Sequence, residues 1–404
     1  MRRRCERPRK RLITGAALDD VPRIVALGGR SGPSLIVEGF RGSGWALTAL
    51  VTTMDTGSSS GIIRDQFGLP APGDIRSVLV AAADPRPDLK RLVDLFEFRF
   101  HPAQDSTLRN MALGNLILTA FAQALGDFAG AVAAVAGLFD CWAEILPIPS
   151  SPATLCARLV DGSVIRGELN IRAVGKPPIA EVFLEPAEPR IPEAAVQAIL
   201  AADLIVLGPG GLYCSVLPAL LPEPIRQAIR ESRSRTAYIC NTTTQPGQTD
   251  ELDAVDHVRE LIRYMGEGRL DYVLLNTQAP ADEMIAAYRK EDVRFMPVTP
   301  EEIRRVKSLG PTPVLGNFVE DEWQGKRQLH KLDTIRHHPR KVASALQAMI
   351  EDTAPRTTTA GGGPSSGEDG KRGNSMSYRR LGKTDLQASG GETTGGICRG
   401  LREF

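Results

Sequence analysis

Arg23-Ile-Val-Ala-Leu27 runs directly into Gly28-Gly-Arg-Ser-Gly32, and that junction decides the fold. A short apolar run rich in β-branched residues is the signature of a strand buried on both faces. The residues that follow, 34–38, carry helix-starting chemistry, so the unit reads strand, glycine loop, helix. In such a unit the loop amides and the helix N-terminus aim at one spot, and glycines let an anion come close to the backbone. Taken alone the loop is a weak signal. It is neither G-x-G-x-x-G nor a Walker loop, and a plain tight turn explains it equally well.

Outward from that junction the same unit recurs. Residues 46–52 read as a second strand that enters a stretch rich in Gly, Ser, Asp and Pro lasting to about Asp74; structureless connections beyond ~12 to 15 residues are uncommon and usually functional. Helical spacing fills residues 89–98, 108–125 and 128–139. Residues 153–159 and 164–171 flank Asp161-Gly162, a hairpin signal that predicts a small antiparallel insertion over about 151–186. Alternation then resumes with a strand at 204–207, a helix at 216–232, a strand at 237–240, a helix at 253–265 and a strand at 272–275. The expected class is α/β, a mainly parallel sheet with helices on both faces.

The chain has 404 residues. A basic arm, 1–20, and a Thr-, Gly- and Ser-rich tail, 353–404, are too poor in apolar residues to order themselves, which leaves one folded domain over 21–352. Within the tail, Met376-Ser-Tyr-Arg-Arg-Leu-Gly-Lys-Thr-Asp-Leu386 resembles the opening of aldo-keto reductases, but too little chain follows for a barrel of about 250 residues. Lys plus Arg total 49 against 48 Asp plus Glu, which gives no overall footprint for nucleic acid or an anionic membrane. The six cysteines show no C-x-x-C pair and no metal-ligand spacing against the five histidines, so reduced, buried thiols are expected. With no apolar run of membrane-spanning length and no secretory signal, a cytoplasmic location is expected. His257 is expected on a solvated helix face, and His101, His330, His337 and His338 at the surface.

The candidate chemistry lies in polar loops at strand ends. In the first, Gly28, Gly29, Ser31 and Gly32 offer amides to a phosphate. After the second strand, Asp55-Thr-Gly-Ser-Ser-Ser-Gly61 and Arg64 crowd one loop. There Ser58, Ser59, Ser60 and Gly61 suit phosphate oxygens, Asp55 suits Mg²⁺, and a surface turn is the alternative. In Pro72-Gly-Asp-Ile-Arg76, Asp74 is expected to cap a helix beginning near Ser77 and Arg76 to clamp a second phosphate. Asn115 adds an amide beside Gly114, a glycine that helix packing explains equally well. Leu207-Gly-Pro-Gly-Gly-Leu-Tyr-Cys-Ser-Val-Leu-Pro218 is the most informative stretch. Gly208, Gly210 and Gly211 free the backbone, Ser215 can donate, Tyr213 can stack on a base or sugar, and Cys214 is a small packed residue. Asn241, Gln245 and Thr249 follow the next strand as ligand hydrogen-bonding groups, and parallel strands bring such loops to one sheet edge.

These motifs, with Phe96-Glu-Phe-Arg-Phe100, Leu113-Gly-Asn-Leu116 and Thr244-Gln-Pro-Gly-Gln-Thr-Asp250, stand in an order that resembles the bacterial gluconeogenesis factors of the CofD-like, 2-phospho-L-lactate transferase superfamily, over residues 23–276. The resemblance implies a Rossmann-like domain that binds a nucleotide sugar such as UDP-N-acetylglucosamine and links carbon metabolism to cell-wall synthesis and cell shape. Its other branch implies a Mg²⁺-assisted phospho-lactate transferase of deazaflavin cofactor synthesis, with Asp55 and Arg64 in the reaction. An NAD(P)-binding oxidoreductase is a third reading that fits the sheet without the dinucleotide fingerprint. The chain departs from the family's usual residues at Arg30 (small Gly), Thr56 (a second acid), Ser58 (Gly) and Met111-Ala112 (His-Ser). The loss at Thr56 weakens catalysis more than binding. Homo-oligomerisation is left open.

Overall fold

The computed structural model describes residues 21–101, 106–321 and 335–351; the basic arm, the tail and His330 lie outside them. The first half of the chain forms β1 (Arg23–Gly28), α1 (Ser31–Phe40), β2 (Ala46–Thr52), α2 (Ser58–Phe67), α3 (Gly73–Ala82), α4 (Pro87–Glu97), α5 (Leu113–Leu125), α6 (Phe128–Leu138) and β3 (Glu144–Ile148). An insertion follows, with β4 (Thr154–Leu159), β5 (Val164–Arg166), the helical turn α7 (Glu168–Ile171) and β6 (Ile179–Glu185). The second half adds α8 (Glu193–Leu200), β7 (Leu204–Leu207), α9 (Glu223–Glu231), β8 (Arg235–Ile239), α10 (Ala254–Met265) and β9 (Tyr272–Asn276). It closes with α11 (Asp282–Arg289), α12 (Pro300–Ser308), β10 (Thr312–Gly316) and α13 (Pro339–Glu351).

The main sheet has seven strands in the order β10-β9-β8-β7-β1-β2-β3, every ladder parallel. The chain winds from β1 outward through β2 to β3, then returns to the other side of β1 as β7, so the sheet is Rossmann-like and its winding reverses between β1 and β7. Leu27 faces Leu50 on one neighbour and Leu207 on the other. Along β1 the side chains alternate: Val25 and Leu27 enter the core that also holds the α8–α10 face, whereas Ile24 and Ala26 enter the core built with α1, α3, α5, α6 and α13. A strand covered on both sides must be apolar at every position, which is why the stretch that opens the chain's folded part reads as an unbroken apolar run.

The insertion is a three-stranded antiparallel sheet, β5-β4-β6. The hairpin turns at Asp161-Gly162 as expected, Gly162 sitting at φ 87°, but two boundaries change. Strand β5 stops at Arg166 because Gly167 takes φ 84°, a left-handed conformation that breaks the ladder, and residues 168–171 form α7 instead of more strand. The stretch 53–74 is not one long loop, since α2 occupies its middle with Ile63 buried at 1% and Gly68 capping it in the left-handed region. Helix α3 starts at Gly73, which puts Asp74 inside the first turn and not at the cap. The segment expected as one helix from 216 to 232 is broken by its prolines into a wide π turn (Leu212–Val216), a 3₁₀ turn (Leu217–Leu220) and α9.

Candidate functional site

At the carboxyl ends of β1 and β7 the loops that follow the two strands meet backbone against backbone. A Cβ added to Gly32 would stand 2.7 Å from the Gly208 carbonyl oxygen and 2.9 Å from that of Pro209, so only glycine lets the first turn of α1 meet the loop after β7. Gly29 is as confined, with Ser215 Oγ 2.8 Å and Asp74 Oδ2 3.0 Å from the position of its absent Cβ. Asp74 Oδ2 accepts the Arg30 amide at 3.1 Å. The Gly210 amide donates to Asn241 Oδ1 at 3.4 Å, and Gly211 abuts Gln245. Loops from β1, β7, β8 and the start of α3 therefore share one rim, with Ser31 exposed at its edge.

The loop after β2 completes that rim. Asp55 Oδ1 accepts the Gly57 amide at 2.6 Å, and the Asp55 carboxylate faces both Asp74 and Glu168. Burial and then the Asp55 charge push Asp74 up to about 6. Glu168, on α7, is pushed up by burial and by Asp55, while Arg172 Nη1 holds it at 2.6 Å. Thr56 Oγ1 accepts the Leu169 amide at 3.4 Å, so Thr56 docks the loop on the insertion. Lys176 donates to the Gly247 carbonyl, and Gly247 has no room for a Cβ beside the carbonyls of Arg172 and Ala173. The insertion is thus a wall of the site. Sequence reasoning passed over Glu168, Arg172 and Lys176, although Glu168 and Arg172 stand at helical i,i+4 spacing just past a glycine, a pattern that marks a short helix.

Other expected residues divide. Ser58 opens α2, Ser59 Oγ accepts from Asn115 Nδ2 at 3.0 Å, and Ser60 and Gly61 pack against Gly73 and Thr56. Asn115 Oδ1, Asn241 Nδ2 and Gln245 Oε1 are buried with no partner. Arg64 turns toward the insertion and donates to Thr154 Oγ1, while its Nη1 is buried and unpaired. Arg76 is paired with Glu97 at 2.8 Å. Thr249 Oγ1 accepts the Gln245 amide at 2.9 Å, which shapes the loop from within. Gly114 abuts the Phe96 ring and carbonyl, so close helix packing accounts for it.

Three expectations are corrected. Tyr213, in the π turn, is 4% exposed and belongs to the core, so the ring expected to stack on a base or sugar is covered by protein. His257 is fully buried, its Nδ1 2.8 Å from the Asp253 carbonyl, and burial lowers its pKa; the helix face that carries it is covered. His337 is also buried, which brings its pKa down to about 4. Cys214 is a packed residue as expected, and burial drives its thiol pKa well up, which leaves no thiolate for nucleophilic attack.

Among the described residues no three His, Cys, Asp or Glu side chains form a metal-ligating group, and no helix is long and apolar enough to cross a membrane. The model of the family described as 2-phospho-L-lactate transferase CofD matches residues 24–319. The gluconeogenesis factor of Bacillus subtilis (strain 168) is 36% identical over 332 residues, 82% of this chain and 99% of that protein. A putative gluconeogenesis factor of Aquifex aeolicus is 33% identical over 335 residues, 81% of this chain and 97% of its own length. Among solved structures, a member of the upf0052 family from Bacillus halodurans superposes with a TM-score of 0.74 at 34% identity, covering 81% of this chain and 99% of the other.

Proposed function

The chain belongs to the 2-phospho-L-lactate transferase CofD family, and within it we propose a nucleotide-sugar-binding protein of the gluconeogenesis-factor kind that holds the ligand's phosphates in the crevice between β1 and β7. One observation carries the reading: Gly32 lies against the Gly208 and Pro209 carbonyls at the reversal of the sheet, the place where open α/β sheets take their ligands. The buried, unpartnered Asn241 Nδ2 and Gln245 Oε1 supply the donor and acceptor that a sugar or base edge requires. On this reading the bound sugar reports carbon supply to cell-wall synthesis, as the resemblance implies. The test is calorimetry and thermal unfolding with UDP-N-acetylglucosamine, with and without Mg²⁺. Saturation at 100 times Kd adds about 2.7 kcal/mol of stability; no heat and no shift in either condition overturns the reading.

A second reading, phospho-lactate transfer, is favoured by Asp55, Asp74 and Glu168 facing one another. Their oxygens suit a hard cation, and Mg²⁺ needs only one or two carboxylates when a ligand's phosphates supply the rest. Asp55 and Asp74 would hold it, and it would neutralise phosphate charge. Asp55 keeps its orientation through the Gly57 amide. Turnover of a guanosine-activated phospho-lactate donor with a deazaflavin acceptor, lost in Asp55→Ala, supports this reading; no turnover in the native chain removes it. Thermal protection by NAD or NADP would revive the dehydrogenase reading, which the glycine loop's spacing disfavours.

A further inference from the structure

One segment of the insertion touches both flanks of the crevice. In the order of strands β1 and β7 lie between β2 and β8, so the loops after β2 and β8 flank those after β1 and β7 on the carboxyl rim. Residues 167–176 reach both flanks. On one side the Leu169 amide donates to Thr56 Oγ1 at 3.4 Å, and Leu169 Cδ2 stands 3.6 Å from where a Cβ on Gly57 would be. On the other, the Arg172 and Ala173 carbonyl oxygens lie 2.8 and 2.6 Å from the position of the absent Gly247 Cβ, and the Lys176 ammonium donates to the Gly247 carbonyl. Between them Arg172 Nη1 holds Glu168 at 2.6 Å, which stiffens α7. The two ends are glycines in the left-handed region, Gly167 at φ 84° and Gly175 at φ 77°. Among the described residues nothing lies within 4 Å of where a Gly175 Cβ would stand, so the chain can turn there, as hinges require.

The loop at the far side is a closed unit. The Gly247 amide donates to Asp250 Oδ2 at 2.8 Å, the Gln245 amide to Thr249 Oγ1 at 2.9 Å, and the Thr249 amide back to the Gln245 carbonyl at 2.9 Å. Whatever fixes Gly247 therefore fixes Gln245, whose buried, unpartnered Oε1 stands 3.1 Å from where a Gly211 Cβ would be. We propose that residues 167–176 are a strap across the carboxyl rim, pivoting at Gly167 and Gly175, and that Lys176 is the positioning residue that latches it to the loop carrying Gln245. The ligand that the strap retains rests on the reading above; its hold on the loop does not.

Lys176→Met keeps an unbranched side chain and removes the donor. In the ligand-free protein amide hydrogen exchange over residues 245–250 should quicken about tenfold, the loss of one charge-assisted hydrogen bond, while the amides of β1 and β7 stay as they were. Lys176→Arg should return most of that protection. UDP-N-acetylglucosamine should leave the Met variant about tenfold faster than the native chain, and the Arg variant nearly as slowly as the native one. Unchanged exchange at 245–250 overturns the strap whether or not the sugar binds. Equal quickening in β1 and β7 does so too, because Lys176 would then only stabilise the fold. Weaker binding with unchanged exchange would place Lys176 on the ligand itself, which also overturns it. If the native chain binds no sugar but the exchange quickens locally and the Arg variant restores it, the proposed function falls and the latch stands.

Discussion

The two edges of the parallel sheet treat their polar groups in opposite ways. At the amino edge they answer one another: Asp203 Oδ2 accepts the Arg23 amide at 2.7 Å, Asp271 Oδ2 takes the Thr236 amide at 2.8 Å, and Ser234 Oγ donates to the Ala202 carbonyl at 2.6 Å. At the carboxyl edge Asn115 Oδ1, Asn241 Nδ2, Gln245 Oε1 and Arg76 Nε are buried without partners, and carboxylates face one another. Each buried unpaired group costs about 1 to 3 kcal/mol, so a run of them along one edge is stability given up, which on the function proposed above a ligand would restore. Strands of one sheet, alike in apolar sequence, thus end in one edge where the groups named are paired, although Trp142 Nε1 just before β3 is buried without a partner, and in another where several are not.

The contrast can be broken most severely at Gly32. Gly32→Ala sets a methyl against backbone that cannot yield, and is expected to cost about 3 kcal/mol and to abolish nucleotide-sugar binding, read by chemical denaturation and calorimetry. Full stability together with full affinity would mean the two loops do not meet as described.

Asp74 sharpens it next. Its folded pKa, about 6, lies above the ordinary 3.8, so the folded state keeps this proton longer than the unfolded chain. That contribution is full below about pH 4 and is lost as pH rises through 6. Asp74→Asn keeps an acceptor for the Arg30 amide and should stabilise the ligand-free protein by about 2 kcal/mol at pH 8. The gain should shrink to nothing toward pH 4 in urea melts; a gain independent of pH would refute the assignment.

The smallest effect belongs to the amino edge. Asp203→Ala removes one exposed bond, with an expected loss of about 1 kcal/mol and no change in ligand affinity. A large loss of binding there would erase the distinction between the edges.

How much of this could be read beforehand follows from where each element sits. Central strands β1, β2, β7, β8 and β9 are covered on both faces, and their apolar runs announce them. Strands β3 and β10 went unassigned because Pro147 and Pro313 interrupt them. Both are edge strands, the one place where a missing amide hydrogen is tolerated. Helix α2 hid among Ser and Gly because its own pattern is weak, and its hold comes from Ile63 in the interior and from the Ser59–Asn115 bond, partners distant in sequence.

The sequence by itself determined the strand ends, the glycines that line them and, through parallel order, their arrival on one edge, since those depend on local pattern and chain direction. Long-range packing set Tyr213 inward and brought the insertion back to place Glu168 against Asp55. Burial and the electrostatic field at a side chain are sums over neighbours far along the chain, and no local window contains them.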